Sequence, residues 1–256
     1  MEVAWVRGED HVEDRVGYAG RSPNRLFVVV HAPREAPATA ALVVCAPILA
    51  DVPADYRREV LLGRALAALG VAVVRFHYRG WGNSEGDASL TTFEALVADA
   101  DVATAAAPAG VPPGRLAFLG TRVGALVAAA AARRHPAARL VVCEPVDGAD
   151  YWREAERARR VRGMTGSGDG TAASADAELD RTGWFDLLGY RVDRALYESV
   201  RTRTLATELG PGPRPVLRLD GPESRRRWWF SSEAAAGDVG SAAGQVSAWL
   251  ASEPQR

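Results

Sequence analysis

From Val71 to Cys143 the chain alternates short apolar runs with longer stretches of helical patterning, and this alternation restricts the fold more than any other feature. Val71–Phe76, Arg115–Leu119 and Arg139–Cys143 read as strands, and Thr91–Ala107 and Val123–Arg134 read as helices between them. Strands that are apolar at nearly every position are covered on both faces, as in parallel sheets. Strand–helix–strand–helix–strand order therefore predicts an α/β fold with a mostly parallel, doubly wound sheet.

The flanks extend this pattern. Arg15–Ala19 and Leu26–His31 read as two strands joined by a turn at Ser22-Pro23-Asn24. Ala41–Cys45 is another fully apolar strand, and Tyr56–Leu69 a helix that stops at Gly70. Ser89, Thr91 or Thr92 can cap the helix that follows. After Cys143 the character changes. Tyr151–Arg162 is helix-like and strongly basic, and Gly163–Ala175 reads as a mobile loop. Glu178–Leu209 returns to helical patterning around Trp184, Phe185 and Tyr190. Pro215–Leu219 and Arg227–Phe230 read as late strands, and Ala242–Ala251 as a closing helix. A length of 256 residues fits one domain over 1–256, with 147–210 inserted over the strand ends as a cap or lid.

Composition narrows the functional classes. A formal net charge of −1 gives no reason to expect nucleic acid as a partner, and the Arg225–Arg227 triplet beside Trp228 and Trp229 reads as solvated surface. Every basic side chain other than histidine is arginine, which excludes Schiff-base chemistry and a lysine general base. Cys45 and Cys143 end apolar runs and read as buried reduced thiols, which points to the cytoplasm. Met1–Asp10 lacks the apolar core of a signal peptide, and Val123–Ala132 is too short to span a bilayer. The Gly120–Gly124 spacing is wrong for a dinucleotide fingerprint, and neither a cofactor nor a metal is expected.

Three segments carry a resemblance to a known superfamily. Arg75–Asp87, RFHYRGWGNSEGD, resembles the loop after the fourth strand of α/β-hydrolases. Leu116–Ala125, LAFLGTRVGA, lies where their nucleophile elbow belongs, with Gly120-Thr121-Arg122-Val123-Gly124 in place of G-x-S-x-G. Ala41–Ala50 with Tyr56–Gly70 resembles the third strand and first helix. The chain is also similar to the hydrolase-like proteins that accompany exosortase systems, through Gly120–Ala125, Glu144-Pro145-Val146 and Gly189-Tyr190. That resemblance implies a G-x-R-x-G-A elbow, the α/β-hydrolase fold and a place in a bacterial biosynthetic pathway.

The resemblance makes the missing triad conspicuous. Arg122 stands at the serine position, and a guanidinium is not a nucleophile. The general base of the superfamily comes late in the chain, whereas the histidines here are His11, His31, His77 and His135. Asp220, near a usual acid position, reads as a turn residue. Conventional serine hydrolysis is therefore not expected.

Two readings of the site stand at this stage. In the first, the protein is a non-hydrolytic pocket protein. Arg122, the N–H groups of Ile48 and Val123, Asp147 and Trp152 would bind a small-molecule, acyl or carboxylate ligand, with a pathway protein as a further partner. In the second, Glu144 or His77 carries acid–base chemistry with Arg122 as anion stabiliser, in a cyclase, lyase or hydrolase-like enzyme. The structural alternatives are simple. Arg122 pairs internally with Glu144, Asp147 and Asp150 cap helices, His77 packs beside Arg79, Ser84 and Asp87 hold their loop, and the lid aromatics form its core.

Overall fold

The apolar runs form the centre of a mixed sheet in a computed structural model that describes residues 1–9, 11–165, 174–219 and 239–252. The strands are β1 (Glu2–Glu9), β2 (Val12–Ala19), β3 (Leu26–Pro33), β4 (Ala40–Cys45), β5 (Val71–Phe76), β6 (Leu116–Thr121), β7 (Arg139–Cys143), β8 (Trp184–Leu187), β9 (Tyr190–Asp193) and β10 (Val216–Leu219). The helices are α1 (Val52–Ala68), α2 (Phe93–Thr104), α3 (Val123–Arg134), α4 (Gly148–Thr165), α5 (Ala175–Thr182), α6 (Arg194–Arg201), α7 (Leu205–Leu209) and α8 (Val239–Ala251). Eight strands pair in the order β1-β2-β3-β5-β4-β6-β7-β10. β5, β4, β6, β7 and β10 run parallel, while β1, β2 and β3 add an antiparallel flank.

Every residue of β4, β5 and β7 is buried, and side-chain alternation divides them between two cores. Val43 and Cys45 face Leu96 of α2 and Leu126 of α3, whereas Leu42 and Val44 face Leu66 of α1 and Val246 of α8. The helix boundaries follow local chemistry. The Thr92 hydroxyl accepts the Ala95 N–H at 3.1 Å and starts α2, and Gly70, at φ 86°, supplies the left-handed turn after α1. The two cysteines are buried free thiols. No described helix is long and apolar enough to cross a membrane.

Two elements depart from the sequence reading. No strand was read in Met1–Asp10, yet Glu2–Glu9 is an edge strand paired antiparallel with β2. Its charged residues are tolerated because an edge strand leaves one flank in water. Glu178–Leu209 was read as helically patterned around Trp184, Phe185 and Tyr190, but that aromatic centre is a hairpin, β8–β9, turning at Leu188-Gly189. The Gly189 N–H is held by the Asp186 carboxylate at 3.1 Å. The strand expected at Arg227–Phe230, Asp220 and most of the loop expected at Gly163–Ala175 lie outside the described residues, and α4 itself continues to Thr165.

The described residues of 148–209 lie between β7 and β10 and share the α2–α3 core instead of forming one of their own. Trp152, Phe185 and Tyr197 pack ring against ring, with centroids 5.1 Å apart for Trp152–Tyr197 and 5.8 Å for Phe185–Tyr197. Polar ties fix this layer to the sheet. The Asp147 carboxylate accepts the Leu205 N–H at 2.7 Å, and the Ser199 hydroxyl accepts the Phe93 N–H at 2.9 Å.

On the opposite face, α1 covers a buried polar cluster whose rim, at Arg64, reaches water. The His31 Nδ1 sits 2.6 Å from Asp14, and Arg64 reaches the other Asp14 oxygen at 2.6 Å. Beside them Glu59 and Arg75 approach to 3.6 Å, both almost without exposure. Burial pushes the Glu59 carboxyl up to about 7 against the pull of Arg75. It pushes the His31 imidazole down, against the pull of Asp14.

Candidate functional site

The sharp turn between β6 and α3 presents Arg122 at φ 57° and ψ −124°, a conformation that costs a non-glycine residue energy. Its neighbours make that backbone path compulsory. A Cβ on Gly120 would lie 2.1 Å from the Gly124 carbonyl oxygen, and a Cβ on Gly124 would lie 2.2 Å from the Cys45 oxygen. Only glycine lets β6, α3 and the end of β4 approach so closely. The Arg122 N–H donates to the Cys143 carbonyl at 3.0 Å, and the Arg122 carbonyl accepts from Ala125 at 3.0 Å. The turn is therefore tied to the neighbouring strand and to its own helix.

The Arg122 side chain spans two carboxylates. Its Nε donates to Asp51 at 3.0 Å and its Nη2 donates to Glu154. The sequence had pointed to Glu144 as the internal partner, and the structure corrects this to Asp51 and Glu154. Asp51 follows β4 and Glu154 lies on α4, so the arginine joins the C-terminal ends of the central strands to the inserted layer. Burial acts to lower the Arg122 pKa, but the Asp51 and Glu154 carboxylates outweigh it and hold the guanidinium charged. The partners differ in access to water. The Glu154 side chain is 57% exposed and that of Asp51 23%.

Two buried phenols brace the loop that carries Asp51. The Tyr78 hydroxyl donates to the Ala46 carbonyl at 3.1 Å, and the Tyr151 hydroxyl donates to the Ile48 carbonyl at 3.2 Å. Burial raises both phenols well above their ordinary pKa, so they remain donors. Asp51, Arg122, Tyr151, Glu154 and Leu188 line a small pocket of about 100 Å³.

Ile48 and Val123 are fully buried, and no acceptor among the described residues receives either backbone N–H. Glu144 follows β7 at φ 45° and is half-buried. Asp147 is occupied in holding the start of α7, as above. Trp152 belongs to the aromatic packing of the inserted layer, with its Nε1–H donated to the Tyr197 carbonyl at 3.1 Å. His77 accepts the Asn83 N–H on Nδ1 at 3.0 Å and stacks on Phe27 with centroids 5.1 Å apart. Burial, with Arg75 nearby, lowers its pKa. It buttresses a loop whose other ties are Ser84 to the His77 carbonyl at 2.6 Å and Arg79 to buried Asp99 at 2.8 Å. Asp87 caps the next turn through Ser89 at 2.8 Å. No group of three His, Cys, Asp or Glu among the described residues is arranged to hold a metal ion.

Asp51, Tyr78, Tyr151 and Glu154 escaped the sequence reading. The one usable signal was the i,i+3 spacing of Tyr151 and Glu154, followed by Ala155 and Ala158, on one face of a basic helix.

Comparison with known proteins agrees with this fold. Residues 54–163 match the family model described as serine aminopeptidase, S33. Among curated proteins, uncharacterized protein Rv2307c of Mycobacterium tuberculosis (strain H37Rv) is 38% identical over 93 residues. That stretch covers 36% of this chain and only 32% of the relative. Among solved structures, Est1E from Butyrivibrio proteoclasticus with ferulic acid bound superposes at TM-score 0.62 and 15% identity, covering 91% of this chain and 97% of that one. A putative hydrolase from Agrobacterium vitis S4 gives 0.57 at 17% identity, covering 93% and 99%. XC6422 from Xanthomonas campestris, a serine hydrolase without lid, gives 0.52 at 20% identity, covering 94% and 97%. The chain has the α/β-hydrolase fold. Its likeness to an S33 serine aminopeptidase reaches across the strand, turn and helix that carry Arg122.

Proposed function

We propose that this is a non-hydrolytic α/β-hydrolase-fold pocket protein in which Arg122 holds the place of the nucleophilic serine and takes the anionic end of a small-molecule ligand. The whole chain 1–256 acts as one unit, with 147–210 as its lid. The observation that carries the reading is the Arg122 ion-pair set. An elbow cation fixed by Asp51 also grips a carboxylate supplied by the insert. Glu154 occupies the place a ligand carboxylate would take, and it is the more exposed of the two partners. Exchanging it for a ligand carboxylate leaves the local charge unchanged and returns Glu154 to water, so the exchange carries little electrostatic cost. Among the described residues the buried N–H groups of Ile48 and Val123 have no acceptor, although neither residue lines the small pocket beside Arg122. The shared aromatic core and the Arg122–Glu154 pair support the lid assignment.

A serine-independent reaction through His77 has less support, because its Nδ1 is engaged and burial lowers its basicity. Placement in a biosynthetic pathway with a partner protein rests on the sequence resemblance alone. Two experiments test the reading. A fluorophosphonate probe and a panel of aryl esters should give neither labelling nor turnover, and either result would refute the non-hydrolytic assignment. Calorimetric titration with short carboxylates should show saturable binding that Arg122→Ala abolishes with the circular dichroism spectrum intact. Glu154→Gln should tighten it by about two- to fivefold, the scale of an exposed ion pair.

A further inference from the structure

The inserted layer contains a second and larger cleft, separated from the elbow pocket by α4. It lies between α4, the start of α5 and the end of α6, and encloses about 880 Å³. That volume is in the range of small-molecule sites. Its floor is the edge of the largely buried Trp152, Phe185 and Tyr197 cluster, with the Arg159 and Arg201 guanidinium groups 5.0 and 5.6 Å from the Phe185 and Tyr197 ring centres. Its rim carries Arg153, Arg157 and Arg160, spaced i, i+4 and i+7 so that they share one side of α4.

The cleft's own acids do not neutralise this rim. Glu156 is taken by Arg159 at 3.2 Å. Asp176 accepts the Tyr197 hydroxyl at 3.0 Å and lies 3.8 Å from Arg201. Arg153 pairs with Asp150. Arg157 and Arg160 have no carboxylate within ion-pair reach among the described residues. A chain of net charge −1 thus concentrates unneutralised guanidinium groups above an aromatic floor.

We infer that this cleft binds an amphipathic organic anion. Its apolar body lies against Trp152, Phe185 and Tyr197, and its phosphate or carboxylate head meets Arg157 and Arg160. Planar guanidinium groups favour such heads through charge-assisted, bidentate hydrogen bonds. The opposite side of α4 carries Tyr151 and Glu154 toward Arg122, so the cleft is distinct from the elbow pocket.

The test is calorimetric titration of the full chain with decyl phosphate below its micellar concentration. Decanoate, decanol and inorganic phosphate provide the other arms. Decyl phosphate should bind saturably and at least about tenfold more tightly than decanol or inorganic phosphate. Comparison with decanoate distinguishes a phosphate from a carboxylate head. The R157A/R160A variant, altered only at exposed positions, should keep its circular dichroism spectrum and lose roughly tenfold or more in affinity. Arg122→Ala should leave that affinity unchanged, which separates this site from the elbow. Undiminished binding in R157A/R160A, loss of binding in Arg122→Ala, or absence of saturable binding to the wild-type chain would each overturn the assignment.

Discussion

Two places in this molecule hold charged side chains against the sheet, and they do so in opposite ways. Under α1, His31, Asp14, Glu59 and Arg75 are sealed from water, and burial favours the neutral forms of His31 and Glu59. At the elbow, Arg122 remains charged and is bridged to Glu154, whose side chain reaches solvent. Sealed pairs cannot exchange partners without unfolding, and a buried ion pair is weak evidence for stability. A bridge with one wet end can exchange. The comparison places structural polarity beneath α1 and the chemically available charge at the elbow.

The largest effect should come from attacking the mount of that charge. Gly124→Ala drives a Cβ into the Cys45 and Ala46 carbonyl oxygens and should cost about 3 kcal/mol or more. In a chain of this size the midpoint of thermal unfolding should fall by roughly 6–12 °C. A loss below about 1 kcal/mol would mean that the turn yields and is not a rigid mount.

The sealed cluster should reveal itself through pH. The unfolded chain loses the Glu59 proton near 4.5, whereas the folded chain keeps it to about 7. The resulting stability is present below 4.5 and is lost as pH rises to about 7, by an amount on the order of 3 kcal/mol. His31 acts with the opposite sign, since burial depresses its pKa and its contribution is lost as pH falls. The difference between wild type and Glu59→Gln in denaturant melts at pH 5 and pH 8 isolates Glu59. The variant should gain on wild type as pH rises, and a pH-independent difference would show that Glu59 is not held protonated.

A smaller effect measures the strain at the turn. Arg122→Gly and Arg122→Ala both lose the ion pairs, but only glycine accepts φ 57° freely. The glycine variant should be more stable than the alanine variant by about 1 kcal/mol in urea unfolding. The smallest effect should come from Glu154→Gln. Removing one half-exposed partner should change stability by less than about 1 kcal/mol, and the change should shrink in high salt. A loss of several kcal/mol would place the Glu154 bridge with the sealed pairs and end the contrast.

The fold was legible where burial dominates local sequence. Ala40–Cys45, Val71–Phe76 and Arg139–Cys143 are apolar at almost every position because they are covered on both faces. The elbow was legible because Gly120 and Gly124 are obligatory. Glu2–Glu9 was not, because an edge strand needs only one partner and carries its charges openly. The hairpin at Trp184–Asp193 was missed because its apolar residues also fit helical spacing. Phe185 and Leu187 in fact alternate with exposed Trp184 and Asp186, which is strand behaviour. The partners of Arg122 were illegible for a different reason. Asp51 lies 71 positions away and Glu154 32, and nothing local marks either as its neighbour. Long-range pairing is decided by the assembled layers.

The two glycines flanking Arg122 have one more consequence. The contacts that force the turn come from backbone atoms of Cys45, Ala46, Gly124 and Ala125, and none involves the side chain at position 122. The turn behaves as a socket whose shape is independent of what is plugged into it. One codon can therefore change the reactivity offered to the pocket while the scaffold stays folded. In such a molecule, chemistry and architecture can evolve on separate schedules.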